Sequence, residues 1–519
     1  MRIARKTACF VACLGLATSI LAQRPAQVPP ATPNTTTAAP AAKEEKNTST
    51  FNPDHQVVTQ SEVTIKGKRI PYKATAGTLP VFGENQKVIA GLFFTYYERT
   101  DVKNIDERPL VISFNGGPGS ASVWMHIGYT GPVLLNIDDE GYPVQPYGFT
   151  ENKESILDVA DIVFIDPVNT GYSRIVDQSV PKSTFFGVRA DITYLAEWVR
   201  TFVTRYNRWG SPKYLIGESY GTTRVSGLAD ELQNSKWMFM NGVILVSPTE
   251  LGITRGPALQ AALRLPYFAA TAWYHKKLAP KHQQRDLTAF LPEVEAFTMN
   301  ELIPALHKGN SLSVNERAAI AAKMAEYSGL SQKVIEQNNL QVSTNFYWKE
   351  LLREEGFTVG RLDSRYKGID RSNAGMSPDY NAELDSWSHS FTPPINMYLR
   401  NALNYKTDLQ YNMFGPVNPW DRTGDNTAER LRAAMAKNPN LHLLVQSGYY
   451  DGACDYFMAK YNLWHFDPSG KLSDRVDWKG YRSGHMMYLR KPDLGEGNEH
   501  IRQFILKSLP KKGAGAKYQ

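Results

Sequence analysis

The chain has 519 residues, 42% of them hydrophobic and 21% charged, with a formal net charge of +7. This is globular composition, long enough for one large domain with an insertion or for two domains. Three of the positive charges are Arg2, Arg5 and Lys6, and the other basic residues are scattered rather than blocked, so nothing points to a nucleic-acid partner.

The N-terminus reads as a secretory signal over residues 1–22. MRIARK is the basic region, TACFVACLGLATSIL the apolar region, and Ala22 the small residue before a cleavage. The apolar run is short for a membrane span, which needs about 20 residues, so no stable membrane anchor is expected. Cys9 and Cys13 would leave with the signal. Cys454 then stands alone, and the mature chain would hold no internal disulfide. Residues 23–50 are rich in Pro, Ala and Thr and nearly free of large apolar side chains, which predicts a disordered linker. Export to the periplasm or the medium follows as an expectation.

From residue 51 onward one domain is expected. "SEVTIKGKRIPYKA" and "VIAGLFFTYYERT" read as antiparallel strands, and "PLVISFNGG" and "ILDVADIVFIDP" as buried ones. "FGVRADITYLAEWVRTFVTRY" has helical periodicity, with Val188, Ile192, Leu195, Trp198 and Val199 on one face. "KYLIGES" predicts a strand, "YGTTRVSGLADELQ" a helix and "MNGVILVSP" a strand. This alternation implies an α/β fold, a mostly parallel central sheet flanked by helices. From about 253 to about 412 the chain is mainly helical or irregular and reads as an inserted helical cap. Alternation returns at "LHLLVQSGYYD" and "VDWKGYRSGH", and a helix in "GNEHIRQFILKSL" closes the chain.

Gly217-Glu218-Ser219-Tyr220-Gly221 lies between a strand and a helix, the setting of a nucleophile elbow. A serine there needs a base to take its proton and an acid to orient that base. With the order serine, acid, histidine, Asp451 follows the late strand directly, while Asp455 lies further from its end. Of the histidines beyond it, His465 lies among aromatics and His500 in a helical pattern, which leaves His485 in a loop after "RVDWKGY". The glycines after Asn115 end an early strand and offer backbone N–H groups to an oxyanion, with the N–H of Tyr220 as the second donor. No His-Glu-x-x-His or Cys/His pattern calls for a metal, and no cofactor is required.

Together, "NGGPGS", "DPVNTGYS", "GESYG", "SGHMM" and the acid after "LLVQSG" resemble the serine carboxypeptidases of the α/β-hydrolase fold, in a bacterial-type form without the eukaryotic disulfide set. The resemblance implies Ser219 as nucleophile, Asp451 and His485 as its acid and base, and Gly117 and Tyr220 as the oxyanion hole. It implies that Asn115, Gly116 and Glu218 hold a substrate's terminal carboxylate, that the substrates are peptides, and that the reaction is removal of C-terminal amino acids. An esterase or acyltransferase on the same frame is the alternative. Two departures stand out. Ser120-Ala121-Ser122 replaces the family's Cys-Ser-Ser, and the second glutamate that partners the acid before the serine is missing near Gly128 or Tyr129. Cys454 matches a cysteine that some members carry beside the site, or packs as a small apolar residue.

Overall fold

The computed structural model describes residues 51–518, so the expected signal (1–22) and linker (23–50) lie outside the described residues. Three long strands, β1 (Gln56–Ile65), β2 (Lys68–Phe82) and β3 (Val88–Arg99), form an antiparallel run. Along the path of the same sheet six shorter strands follow: β4 (Leu110–Phe114), β5 (Asp161–Ile165), β6 (Lys213–Glu218), β7 (Gly242–Val246), β8 (His442–Gly448) and β9 (Val476–Tyr481). They join one sheet in the order β1-β2-β3-β5-β4-β6-β7-β8-β9, with a two-residue strand at Arg174–Ile175 beside β3. β3 meets β5 antiparallel, and every pairing from β5 through β9 is parallel.

The reason lies in side-chain patterning. β4 to β7 are buried along their whole length, as strands covered on both faces must be. Leu110 and Ile112 of β4 pack with helices α1 (Val188–Arg205), α2 (Tyr220–Ser235) and α3 (Thr427–Lys437). Val111 points to the opposite face, packed with Ile501 and Phe504 of α4 (Lys491–Ser508). The α1 face expected from periodicity is the buried one: Val188, Ile192, Leu195, Trp198 and Val199 are each at most 2% exposed. Each such side chain contributes about 1.5–3 kcal/mol of burial.

Between β7 and β8 the chain is mainly a succession of helices, from Pro257–Leu263 to Ala382–Met397. Those before Val359 share an apolar core that also takes in Tyr450, Tyr456 and Phe457 after β8, while Trp387, Phe391 and Ile395 of the last pack into the core of the sheet. The stretch "GPALQAALRLPYFAATAWYHKKL" forms two helices, broken at Arg264. Pro266 lacks an N–H and crowds the turn before it, so it fits the first turn of a new helix and not the interior of a long one. Helix Val314–Ser328 starts at a Ser313/Glu316 capping box and ends at Gly329 in the left-handed region. "ILDVADIVFIDP" is a strand only over Asp161–Ile165, because Ile156–Asp158 form a 3-10 turn. α3 and the helix Tyr456–Phe466 were not expected, and His465 lies on the latter. Among the described residues no helix is long and apolar enough to cross a membrane.

Candidate active site

β6 ends at Glu218 and α2 begins at Tyr220, leaving Ser219 alone on the turn with φ 57° and ψ −129°. A non-glycine residue there is strained and persists only where its surroundings over-determine it. Two contacts do so. A methyl on Gly217 would lie 2.1 Å from the carbonyl oxygen of Gly221, so strand and helix meet with no room for a side chain. A methyl on Gly116 would lie 2.4 Å from the amide nitrogen of Tyr220 and 2.9 Å from Cβ of Ser219, so the glycine loop after β4 lies directly on the elbow. The Ser219 N–H donates to the Val246 carbonyl of β7 at 3.0 Å, which ties the turn to the sheet.

The acid and base come from the ends of β8 and β9. Asp451 is fully buried. Its Oδ1 accepts the N–H groups of Ala453 and Cys454, each at 2.9 Å, and its Oδ2 accepts Nδ1–H of His485 at 2.7 Å. That arrangement holds the imidazole with Nε2 turned to the cleft. His485 is 5% exposed. Its N–H donates to Leu362 O at 2.6 Å, and its carbonyl accepts the Ser247 hydroxyl at 2.7 Å. Leu362 belongs to the insertion between β7 and β8, so the insertion itself braces the base. No local signal marks this residue in the sequence. Burial alone would lower the imidazole pKa. The Asp451 and Glu218 carboxylates outweigh it and hold His485 well above the usual histidine range.

Beside the elbow, Asn115 donates from Nδ2 to Glu218 Oε2 at 2.8 Å and accepts the Met125 N–H at 2.9 Å. Both side chains are buried. Burial pushes the Glu218 carboxyl up, against the lowering effects of His485 and of the Asn115 amide. Glu218 Oε1 lies 3.2 Å from Nε2 of His485, and among the described residues Ser219 Oγ makes no hydrogen bond to that ring. Gly116, Gly117, Ser219, Tyr220, His485 and Cys454 line one cleft of about 670 Å³. Tyr220 is the first residue of α2, so its N–H has no acceptor within the helix, and Gly117 sits at φ 103° beside it. All eight residues singled out from the sequence therefore meet at one place.

Sequence reasoning missed the supports. Arg224, six residues after Glu218 on α2, is fully buried and paired with Asp191 of α1 at 2.7 Å. Its Nη1 donates to the Asn115 carbonyl at 2.6 Å and its Nη2 to Pro118 O at 3.3 Å, so it grips the glycine loop from below. A charged residue on the inner face of a helix was the available signal. Asp166 of "DPVNTGYS" accepts the Ser122 N–H at 2.8 Å, and burial pushes its carboxyl up to about 7. The motif thus braces the same loop.

The place of the family's second glutamate, near Gly128 and Tyr129, is filled by aromatic packing. A methyl on Gly128 would meet the Tyr488 ring at 3.2 Å. Tyr129 stacks on Tyr488 with centroids 4.6 Å apart and donates its hydroxyl to Gln446 at 2.8 Å. The Tyr488 hydroxyl is buried without a hydrogen-bond partner among the described residues.

Asp451, Cys454 and His485 bring metal-capable donor atoms within 4.8 Å of one another. Asp451 and His485 already satisfy each other, and burial pushes the Cys454 thiol up, away from the thiolate a metal needs. The set fits acid–base chemistry on a serine hydroxyl better than metal binding.

Comparison with known proteins bears on this geometry. The family profile described as serine carboxypeptidase matches residues 67–479. A serine carboxypeptidase-like protein of Arabidopsis thaliana is 31% identical over 169 residues, 31% of this chain and 31% of that protein. Serine carboxypeptidase S10 family member 1 of Dictyostelium discoideum is 28% identical over 141 residues, 27% of this chain and 31% of that one. The chain thus spans about a third of the length of the curated relatives it matches. Among solved structures, a prohormone-processing carboxypeptidase from Saccharomyces cerevisiae superposes with a TM-score of 0.52 at 15% identity, over 84% of this chain and 92% of that one, which shows a shared α/β-hydrolase fold.

Proposed function

Because this chain belongs to the serine carboxypeptidase family, we propose that it removes amino acids from the C-termini of peptides through an acyl-enzyme on Ser219. The observation that carries this reading is the buried Asn115–Glu218 pair, hydrogen bonded at 2.8 Å beside the elbow and the imidazole. A polar pair so placed suits the carboxylate of a departing residue. Ser219 Oγ attacks the last peptide carbonyl while His485 Nε2 takes its proton. The N–H groups of Gly117 and Tyr220 stabilise the oxyanion, worth about 3–4 kcal/mol per donor in such sites. His485 then gives the proton to the leaving nitrogen as the C–N bond breaks, and water releases the acyl group by the same steps. Asp451 holds the ring throughout.

Mixed peptides supplied as free acids and as C-terminal amides test this. Mass spectrometry should find stepwise loss of C-terminal residues from the free acids. Transfer of an acyl group to an alcohol with no shortening of peptides would overturn the reading in favour of an acyltransferase. Glu218 supplies a further prediction. Two carboxylates at hydrogen-bonding distance repel, so the Glu218 carboxyl must be protonated to donate to the substrate. KM for free-acid peptides should rise by about tenfold per pH unit once that proton is lost, a one-proton requirement. Glu218→Gln keeps a neutral donor and should flatten the rise, with much less effect on amides. An unchanged free-acid profile would leave Glu218 a structural role at the elbow.

We also propose export, supported by the basic-then-apolar composition of residues 1–22. Sequencing the exported protein should find its N-terminus near Gln23, and a chain beginning at Phe51 should keep full activity. Retention of Met1 in the mature protein would refute the cleavage.

A further inference from the structure

In most serine hydrolase sites the free nitrogen of the base faces the nucleophile. Here it faces an acid. His485 lies between two carboxylates, with Asp451 Oδ2 2.7 Å from Nδ1 and Glu218 Oε1 3.2 Å from Nε2. All three side chains are at most 6% exposed. The other groups facing them are neutral or committed. From the loop after β8 comes the Cys454 thiol, whose pKa burial pushes up. From the turn after β9 comes the Tyr488 phenol, likewise pushed up by burial. From the loop after β4 comes the uncharged Asn115 amide. Arg224, below the glycine loop, is neutralised by Asp191. Arg361, Arg422, Glu250 and Asp425 line the outer cleft, two charges of each sign open to solvent and screened by it.

We propose that Glu218 and His485 share one proton, and that a substrate's terminal carboxylate moves it from Nε2 of His485 to Oε1 of Glu218. The inference rests on the carboxypeptidase reading above and adds a coupling to it. With no peptide bound, the two carboxylates and one imidazolium form a set of net charge −1, and Nε2–H cannot accept a proton from Ser219. When a carboxylate binds at Asn115 and Gly116, it lies against Glu218 and further from the ring. Coulomb repulsion falls with distance, so the proton affinity of Glu218 rises more than that of His485. The N–H bond at Nε2 breaks with its electron pair left on nitrogen, and an O–H bond forms at Oε1. Imidazolium and carboxylate become imidazole and carboxylic acid, with no proton gained or lost overall. The carboxyl turns its O–H to the substrate, and the Nε2 lone pair opens to Ser219 Oγ. One event makes the donor for the carboxylate and frees the base.

Such a pair titrates as a unit, and its singly protonated state is the one that serves free-acid peptides. An amide has no carboxylate to bring about the transfer, so it is cleaved only when the shared proton has left altogether. Free-acid and amide activities should therefore run in opposite directions across the upper titration of the pair, the first falling as the second rises.

The direct test uses Ser219→Ala protein labelled with ¹⁵N-histidine, with the His485 signal assigned by loss in a His485→Gln variant. At neutral pH the ring should be charged without ligand. It should become neutral, with its lone pair on Nε2, when a free-acid dipeptide is added to saturation. The C-amidated dipeptide at saturation should leave it charged. Adding Glu218→Gln removes one carboxylate and should lower the His485 pKa by about 1–3 units, the usual effect of an opposite charge within 4–6 Å. The free acid should then change the ring no further. An imidazole whose charge is indifferent to the free acid, or responds equally to the amide, overturns the shared proton. Failure of the carboxypeptidase reading is seen separately, as absence of C-terminal shortening by the wild-type enzyme, and the imidazole titration answers for the proton transfer whichever way that result falls.

Discussion

Ser219→Ala should lose about 10⁶-fold in kcat, the scale seen when a triad nucleophile is removed and only the oxyanion hole and binding remain. The loss should come without unfolding. Alanine has a Cβ like serine, so it meets the same strain at φ 57° and ψ −129°, and the N–H bond to Val246 is a backbone contact that it keeps. Stability should change by no more than about 0.5 kcal/mol. KM for free-acid peptides should hold, since Asn115, Gly116 and Glu218 are untouched. Turnover of purified Ser219→Ala at the wild-type rate would remove the acyl-enzyme from the mechanism. His485→Ala should come close to the same loss, because a serine hydroxyl without its base is a poor nucleophile.

Gly217→Ala should be strongly destabilising. Its Cβ would sit 2.1 Å from the Gly221 carbonyl oxygen and 2.4 Å from the carbonyl carbon, both backbone atoms. The strand cannot step aside, because Gly217 is paired to Phe114 of β4 on one side and Leu245 of β7 on the other. α2 cannot withdraw without pulling Arg224 from the glycine loop. We expect a loss of about 3 kcal/mol or more, the upper end of overpacking costs, read as a lowered denaturant midpoint. Gly256→Ala is the control. A methyl there meets nothing within 4 Å, and φ is an ordinary −64°. Its effect should stay within about 1 kcal/mol, the cost of replacing a glycine at a helix N-cap. Equal stability of the two variants would mean that the elbow is not the tight junction described.

The parallel sheet was legible because its strands are continuous apolar runs ending in glycines or acids, and α1 because its apolar face repeats every three to four residues. Element edges were less so. In "ILDVADIVFIDP" the opening 3-10 turn and the strand both mix apolar residues with one aspartate, so the division depends on where β3 and β4 offer partners. α3 was overlooked because its buried stripe, Ala428, Leu431, Ala434 and Met435, is short and half of it is alanine, although its spacing is helical.

At the site, the sequence by itself determined the chemistry of the principal groups: a serine on an elbow, an acid after one late strand, a histidine after the next, and glycines after an early one. Those features are local, and each is set by what a turn at a strand end can hold. Only the tertiary structure decided what surrounds them. Arg224 beneath the glycine loop, Leu362 on the backbone of His485, Tyr488 at Gly128, and Glu218 against Nε2 are all contacts between segments distant in the chain or between side chains on different elements. They depend on how the sheet brings its strand ends together and how the insertion between β7 and β8 reaches back to β9. Neither propensity nor spacing encodes that, because the free energy that selects such contacts comes from burial and electrostatics shared among elements that meet only once the chain has folded.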